Sequence, residues 1–288
     1  MTDQPQAIKP IIEIEDFSSK RKFRDLPWWF FAIILIAIYA FIIISTNEEY
    51  NSAFNFIKKG LIITIQTSLI AFCFAILFGL LAGLGRISKN VVINNLARLY
   101  VELIRGIPIL VLIFFIALVG VPVLVDGLNN FGFWLSDQGL GFLGKIFTAV
   151  TNQDIPMNSR AIIALAVTYG AYLAEIFRAG IQSIVRGQME AARSLGMSYG
   201  QAMRYVILPQ AVRNVLPALG NDFVAMVKDS SLVSVLAVRD ITQVSRLYAG
   251  STFRFREAYV TLAVMYLTMT VVLSLVVQFI ERRLKTHD

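Results

Sequence analysis

EAARSLGMSYGQAMRYVILP, residues 190–209, is a polar and cationic stretch set between long apolar runs. Its local pattern reads as helix, glycine turn, helix. Residues 184–195 are helix-prone, and Gly196 can take the left-handed conformation that ends a helix. Ser198 precedes Gln201 by three positions, the spacing of a capping box that starts a second helix. Pro209 predicts a stop, because the residue before a proline is pushed away from helical angles. A connector of this length and composition, between apolar segments, suggests a docking element rather than a plain link.

The flanking runs set the fold class. The chain has 288 residues, 57% of them hydrophobic, well above the apolar share of a soluble domain. Its charges are concentrated in particular stretches, so windows long enough to cross a bilayer survive. Clear spans lie at 28–45, 60–85, 107–125, from Ala161 onward, and at 258–280. A sixth candidate, 219–238, contains Asp222, Lys228 and Asp229, and hydropathy alone would reject it. Parity argues for keeping it, since only an even number of spans puts both basic tails on one side. The expected fold is an all-α integral membrane protein of about six transmembrane helices, with both termini cytoplasmic.

The positions of Lys and Arg agree with that topology. Five fall in the N-terminal tail, four in 86–105, five in 178–213 and three in the C-terminal tail, all on the expected inner side. The outer segments 47–59 and 126–160 have two each; the outer segment 239–256 has four and dissents. The tail 1–27 mixes acids and bases, and its SSKRKFR run suits an anchor at an anionic cytoplasmic surface. The run at 28–45 is long and lacks a small-x-small cleavage site, so it reads as a retained span and not a signal peptide. A single Cys73 and a single His287 exclude a disulfide framework and leave no Cys/His metal site. Cys73 lies in an apolar run, where a packed thiol is expected.

Glu190, Ala191, Ala192, Gly196, Leu208 and Pro209 resemble the EAA loop of permease subunits in bacterial ABC importers; Val206 stands where that family usually has Ile. Three further strings narrow the resemblance to the polar amino-acid permeases: VELIRGIPILVLIFF (101–115), with Glu102, Arg105, Gly106 and Pro108 matching and Ile107 in place of Thr; AYLAEIFRAGI (171–181); and KDSSLVSVLAVRDIT (228–242). The resemblance covers about 56–285. It implies a five-helix type I importer core, with 28–45 an additional helix. It also implies a cytoplasmic coupling loop at about 186–210 seated in a separate ATPase subunit. The partners it implies are two ATP-binding cassette subunits, a second permease subunit (identical or homologous), an extracytoplasmic amino-acid-binding protein and an amino-acid substrate. Such a chain catalyses no covalent chemistry, resides in the bacterial inner membrane, and needs no cofactor, metal or nucleic acid.

The residues themselves offer candidates for the pathway. Thr168, Tyr172 and Glu175 are spaced four and three apart, on one helical face. An ionisable residue at membrane depth is costly and faces a cavity or a partner. Glu175 could therefore meet the cationic group of a substrate or pair with Arg178. Asp229, Ser230 and Ser231, beside Lys228, could line a polar pathway or form a polar clasp between helices. Gly79 and Gly83 form a GxxxG suited to close helix packing. GLGFLGKI at 139–146 nearly matches a phosphate loop but has Ile146 where a hydroxyl must ligate Mg²⁺, so ATP binding there is rejected. It belongs to the expected external segment 126–160, whose FGFWL and FLGKIF runs are amphipathic enough to lie on a membrane surface or form a short helix.

Overall fold

The computed structural model describes residues 28–285. The basic run of the N-terminal tail and His287 lie outside them. Within the described residues the chain is helical, with no strand. The elements are α1 (Trp28–Thr46), α2 (Glu48–Ile57), α3 (Leu61–Arg86), α4 (Val91–Arg105), α5 (Ile109–Phe115), α6 (Val121–Asp137), α7 (Gly141–Phe147), α8 (Met157–Gln182), α9 (Arg186–Ser194), α10 (Tyr199–Ala202), α11 (Leu208–Asp229), α12 (Ile241–Thr252) and α13 (Phe255–Lys285).

Among the described residues four helical segments are long and apolar enough to cross a membrane: Glu48–Arg86, Ile109–Asp137, Met157–Gln182 and Phe255–Arg283. A shorter apolar helix runs Phe31–Thr46. The sixth expected span is α11, which is helical to Asp229 and continues as a 3₁₀ turn over Ser230–Leu236. Asp222, Lys228 and Asp229 keep it out of that apolar class, so parity and not hydropathy points to it.

The observed bounds correct the expected ones. The span expected to begin at Gly60 is continuous with α2, whose start is fixed by the Asn47 side chain accepting from the Glu49 and Tyr50 amides. The span expected to end at Val125 runs on through α6 to Asp137, so the first part of the expected external segment is helix. The chain then turns at Gly139, at φ +83°, and α7 folds back on α6 as a hairpin. The phosphate-loop look-alike is thus the turn into α7 and the helix itself. The Thr151 amide and hydroxyl both donate to Asp154 Oδ2, at 2.9 and 2.7 Å, and hold that carboxylate below its usual pKa.

The core is centred on α3 against α8. Gly79 and Gly83 let the two backbones close, as expected from GxxxG: a Cβ on Gly83 would sit 2.9 Å from the Ala174 carbonyl oxygen and from Phe177 Cβ. Leu165, Leu173, Ile113, Leu112 and Met226 fill the fully buried centre. Arg160 pins the N-terminal end of α8. The chain between α5 and α6, Ile116–Gly120, is a π-turn, and the buried Arg160 donates to the Ala117 carbonyl in it, at 3.3 Å. The same guanidinium donates to the Ile155 and Asn152 carbonyls, so an Arg counted as an external surface charge is a backbone clasp. Cys73, expected to be packed, lies instead on the exposed surface of α3.

Candidate functional site

The stretch 190–209 folds as a hairpin of two helices at the far end of α8. Val185 is extended and separates α8 from α9. At the end of α9 the Met197 amide bonds the Ala192 carbonyl (3.2 Å) and the Gly196 amide bonds the Arg193 carbonyl (3.0 Å), with Gly196 at φ +86°. These are the two hydrogen bonds of a Schellman motif, which requires a left-handed residue at that point. The capping box comes next: the Ser198 amide donates to Gln201 Oε1 (2.8 Å), and the Gln201 amide donates to Ser198 Oγ (3.3 Å).

Pro209 does not stop the second helix. Met203–Ile207 is a π-turn, in which the Leu208 amide reaches back to the Met203 carbonyl, and α11 continues from Leu208 with Pro209 in its first turn. A proline is tolerated there because the widened turn breaks the regular bonding ladder. The Gln210 side-chain amide takes up the Val206 carbonyl at 2.9 Å. The hairpin and the α11 span are therefore one mechanical unit.

A small apolar cluster fixes the hairpin to the bundle: Ile181, Ile207 and Ala211, with Leu84, Met189 and Met203 around them. Of the six coupling residues named from sequence, Ala192 is buried, Leu208 is half-buried, and Glu190, Ala191, Gly196 and Pro209 are exposed. Leu195 is 82% exposed, and Tyr199 and Tyr205 stand out beside it. Exposed large apolar side chains rimmed by polar ones mark a docking surface.

The second group of candidates lies inside the bundle, and the structure divides it. Thr168 is fully buried and its hydroxyl has no partner among the described residues. Tyr172 is half-buried, its ring 5.9 Å from that of Tyr169, with the Arg105 guanidinium 5.7 Å from its centroid. Glu175 is surrounded by cations: Arg178 donates to Oε2 at 2.9 and 2.8 Å, Arg86 pairs with Oε1, and Arg105 lies 3.8 Å away. Of the two readings open for Glu175, the geometry realises the pairing with Arg178 and adds Arg86 from α3. Asp229 accepts a 2.7 Å hydrogen bond from the Tyr169 hydroxyl. Ser230 is buried, its hydroxyl donating to the Val227 carbonyl at 2.7 Å, and Ser231 is half-buried.

Sequence reasoning missed Tyr169, Arg86 and Arg105 as partners of the intramembrane acids. The available signal was chemical: an acid at membrane depth demands a donor, and Tyr169 lies one turn before Tyr172 on the same helix. Among the described residues no group of His, Cys, Asp or Glu could hold a metal.

Residues 75–286 match the family model described as the binding-protein-dependent transport system inner membrane component. The chain belongs to that family. This permease is 36% identical over 232 residues to the probable glutamine ABC transporter permease protein GlnM of Bacillus subtilis (strain 168), covering 81% of this chain and 94% of that one. It is 34% identical over 227 residues to the glutamine transport system permease protein GlnP of Escherichia coli (strain K12), covering 79% and 92%. A solved amino acid ABC transporter with histidines is 38% identical, with TM-score 0.63 and coverage of 81% of this permease and 95% of that chain. The methionine ABC transporter MetNI, in an inward-facing form, shares the fold at 17% identity and TM-score 0.59. The permease is thus an inner-membrane subunit of an ABC transporter, with the type I importer fold expected from the sequence. Membership of this family gives no support to a self-sufficient carrier or channel.

Proposed function

We propose that this permease carries polar amino acids and that the hairpin at 186–207 couples it to a separate ATPase chain. The relatives named for glutamine and for amino acids support the substrate class. The observation that carries the coupling reading is the hairpin itself: locally capped, tied to α11, and displaying Glu190, Leu195 and Tyr199 outward. Two permease subunits, alike or different, enclose one pathway, two ATPase subunits seat on their hairpins, and an extracytoplasmic binding protein delivers the amino acid. Closure of the ATPases moves α9 and α10, and the continuous helix into α11 carries the motion to Asp229. The proposed layout is a cytoplasmic tail at 1–27, an added span at 28–45 and the importer core at 56–285, with both termini inside.

Within the pathway Tyr172, Asp229 and Ser231 are the groups available to a zwitterion. Glu175 acts through Arg86 and Arg178 by bracing α8 against α3. Thr168 and Ser230 support the packing behind them.

The test is mild-detergent extraction of the tagged native complex and identification of the chains that co-purify. A roughly stoichiometric ATPase chain, recovered in lower yield from a Glu190→Lys preparation, is the expected result. A permease that purifies alone under conditions preserving other membrane complexes would overturn the coupling reading.

A further inference from the structure

α1 lies wholly outside the matched residues 75–286, and it packs sparsely on the rest of the chain. It meets α2 after the turn at Asn47, and among its described side chains only Ala40 and Ile44 are buried. Between α1, α2, the start of α3 and α13 lies a cleft of about 640 Å³. Native packing leaves voids little larger than a water molecule, whereas ligand sites fall in the range of about 300–1,000 Å³.

The lining has two parts. Ala37, Ile38, Leu61, Met265 and Met269 make an apolar wall. Thr268 adds no free donor to it, since its hydroxyl donates to its own Val264 carbonyl at 2.8 Å. The polar part comes from the end of α1 and from α2 through Lys58. Asn55 Nδ2 donates to Asn51 Oδ1 at 2.6 Å, and Lys58 Nζ donates to Asn55 Oδ1 at 2.7 Å. This ladder occupies side-chain acceptors and leaves donors: the Asn51 amide N–H groups and two of the three ammonium hydrogens of Lys58, both residues lining the cleft. Among the described residues no carboxylate pairs with Lys58, whose ammonium lies 5.8 Å from the Phe54 ring centroid; Glu49, farther up the same helix, pairs with Arg254 at 3.2 Å. The occupant that fits is long and apolar, with an anionic end.

We propose that the cleft binds one anionic phospholipid, its acyl chain along Met265 and Met269 and its phosphate on Asn51 and Lys58. The cleft opens between membrane-spanning helices, so the bilayer itself supplies the ligand. The bound lipid fills the gap between α1 and α13 and ties the two helices together.

The permease, purified with its partner subunits, is reconstituted with phosphatidylethanolamine and phosphatidylglycerol, re-extracted, and studied by native mass spectrometry. Wild type retains about one phosphatidylglycerol per chain, in preference to phosphatidylethanolamine, and Lys58→Ala lowers that retention about fivefold. Ala37→Phe, which fills the cleft and leaves Lys58 in place, abolishes it. Equal retention by wild type and Ala37→Phe overturns the proposal, as does equal retention of the two headgroups by wild type. A disulfide between two chains carrying Ile38→Cys in a Cys73→Ser background also overturns it, because a second copy then occupies the cleft.

Discussion

Two hairpins leave α8 at its two ends, and they are built on opposite principles. The α6–α7 hairpin packs on itself: the Phe131 ring meets Phe147 edge-on at 5.3 Å and stacks on Trp134 at 5.8 Å, and the Asn152 amide donates to Asp126 at 2.8 Å. The α9–α10 hairpin is held by main-chain and capping bonds between residues at most five apart, and it turns Glu190, Leu195 and Tyr199 away from the bundle. The first is held by side chains packed between its two helices, although Phe133, Trp134 and Phe142 stay more than half exposed. The second keeps its shape through local main-chain and capping bonds, which leaves its side chains available to another protein.

That contrast breaks first at Gly196. A proline there cannot adopt φ +86°, since its ring locks φ near −65°. Gly196→Pro, or Glu190→Lys on the exposed face, is expected to leave the permease inserted but to weaken ATPase docking by about 2 kcal/mol, or about 30-fold. In proteoliposomes ATP hydrolysis then continues without amino-acid uptake. If both variants transport normally, the hairpin is not the coupling element.

The converse change belongs at Gly132, where an added Cβ would lie 2.8 Å from the Gly144 carbonyl oxygen. Gly132→Val is expected to prise α7 from α6 and lower stability by about 1–3 kcal/mol. Uptake per folded complex should stay within about twofold of wild type, because the variant touches packing and not docking. A coupling defect at this position, read as ATP hydrolysis without uptake, would mean that the two hairpins are not functionally distinct.

Legibility from the sequence divides along the same line. The glycine turn and the Ser198 capping box were legible because each of their bonds closes within a few residues. The GxxxG packing was legible because small residues have one main use between membrane helices. The continuation of α6 to Asp137 and of the second helix past Pro209 was not. A π-turn precedes each, at Ile116–Gly120 and Met203–Ile207, and α11 runs through the proline where the sequence rule expected a stop. Nor were the partners of the buried acids, since Tyr169 meets Asp229 across 60 residues of chain and Arg86 reaches Glu175 from another helix. An acid in a span announces that it needs a partner, but only the packing of α3, α8 and α11 names one.

The smallest expected effect is also the finest probe of how the α9–α10 hairpin keeps its shape. Ser198→Ala removes the side-chain half of the capping box and should cost about 1 kcal/mol. Gly196→Ala meets no neighbouring atom within 4 Å, so its only penalty is the left-handed backbone, about 1–2 kcal/mol. Neither change alters the exposed side chains of Glu190, Leu195 and Tyr199. Both should therefore raise hydrogen exchange across 186–207 by about five- to thirtyfold, through local opening, while uptake falls by a smaller factor than in Gly196→Pro. Uptake loss that tracks the exchange rates would mean that docking selects the folded hairpin from a fluctuating one. Uptake that stays at the wild-type level despite faster exchange would mean that the ATPase surface, and not the caps, holds the hairpin in shape once it is bound.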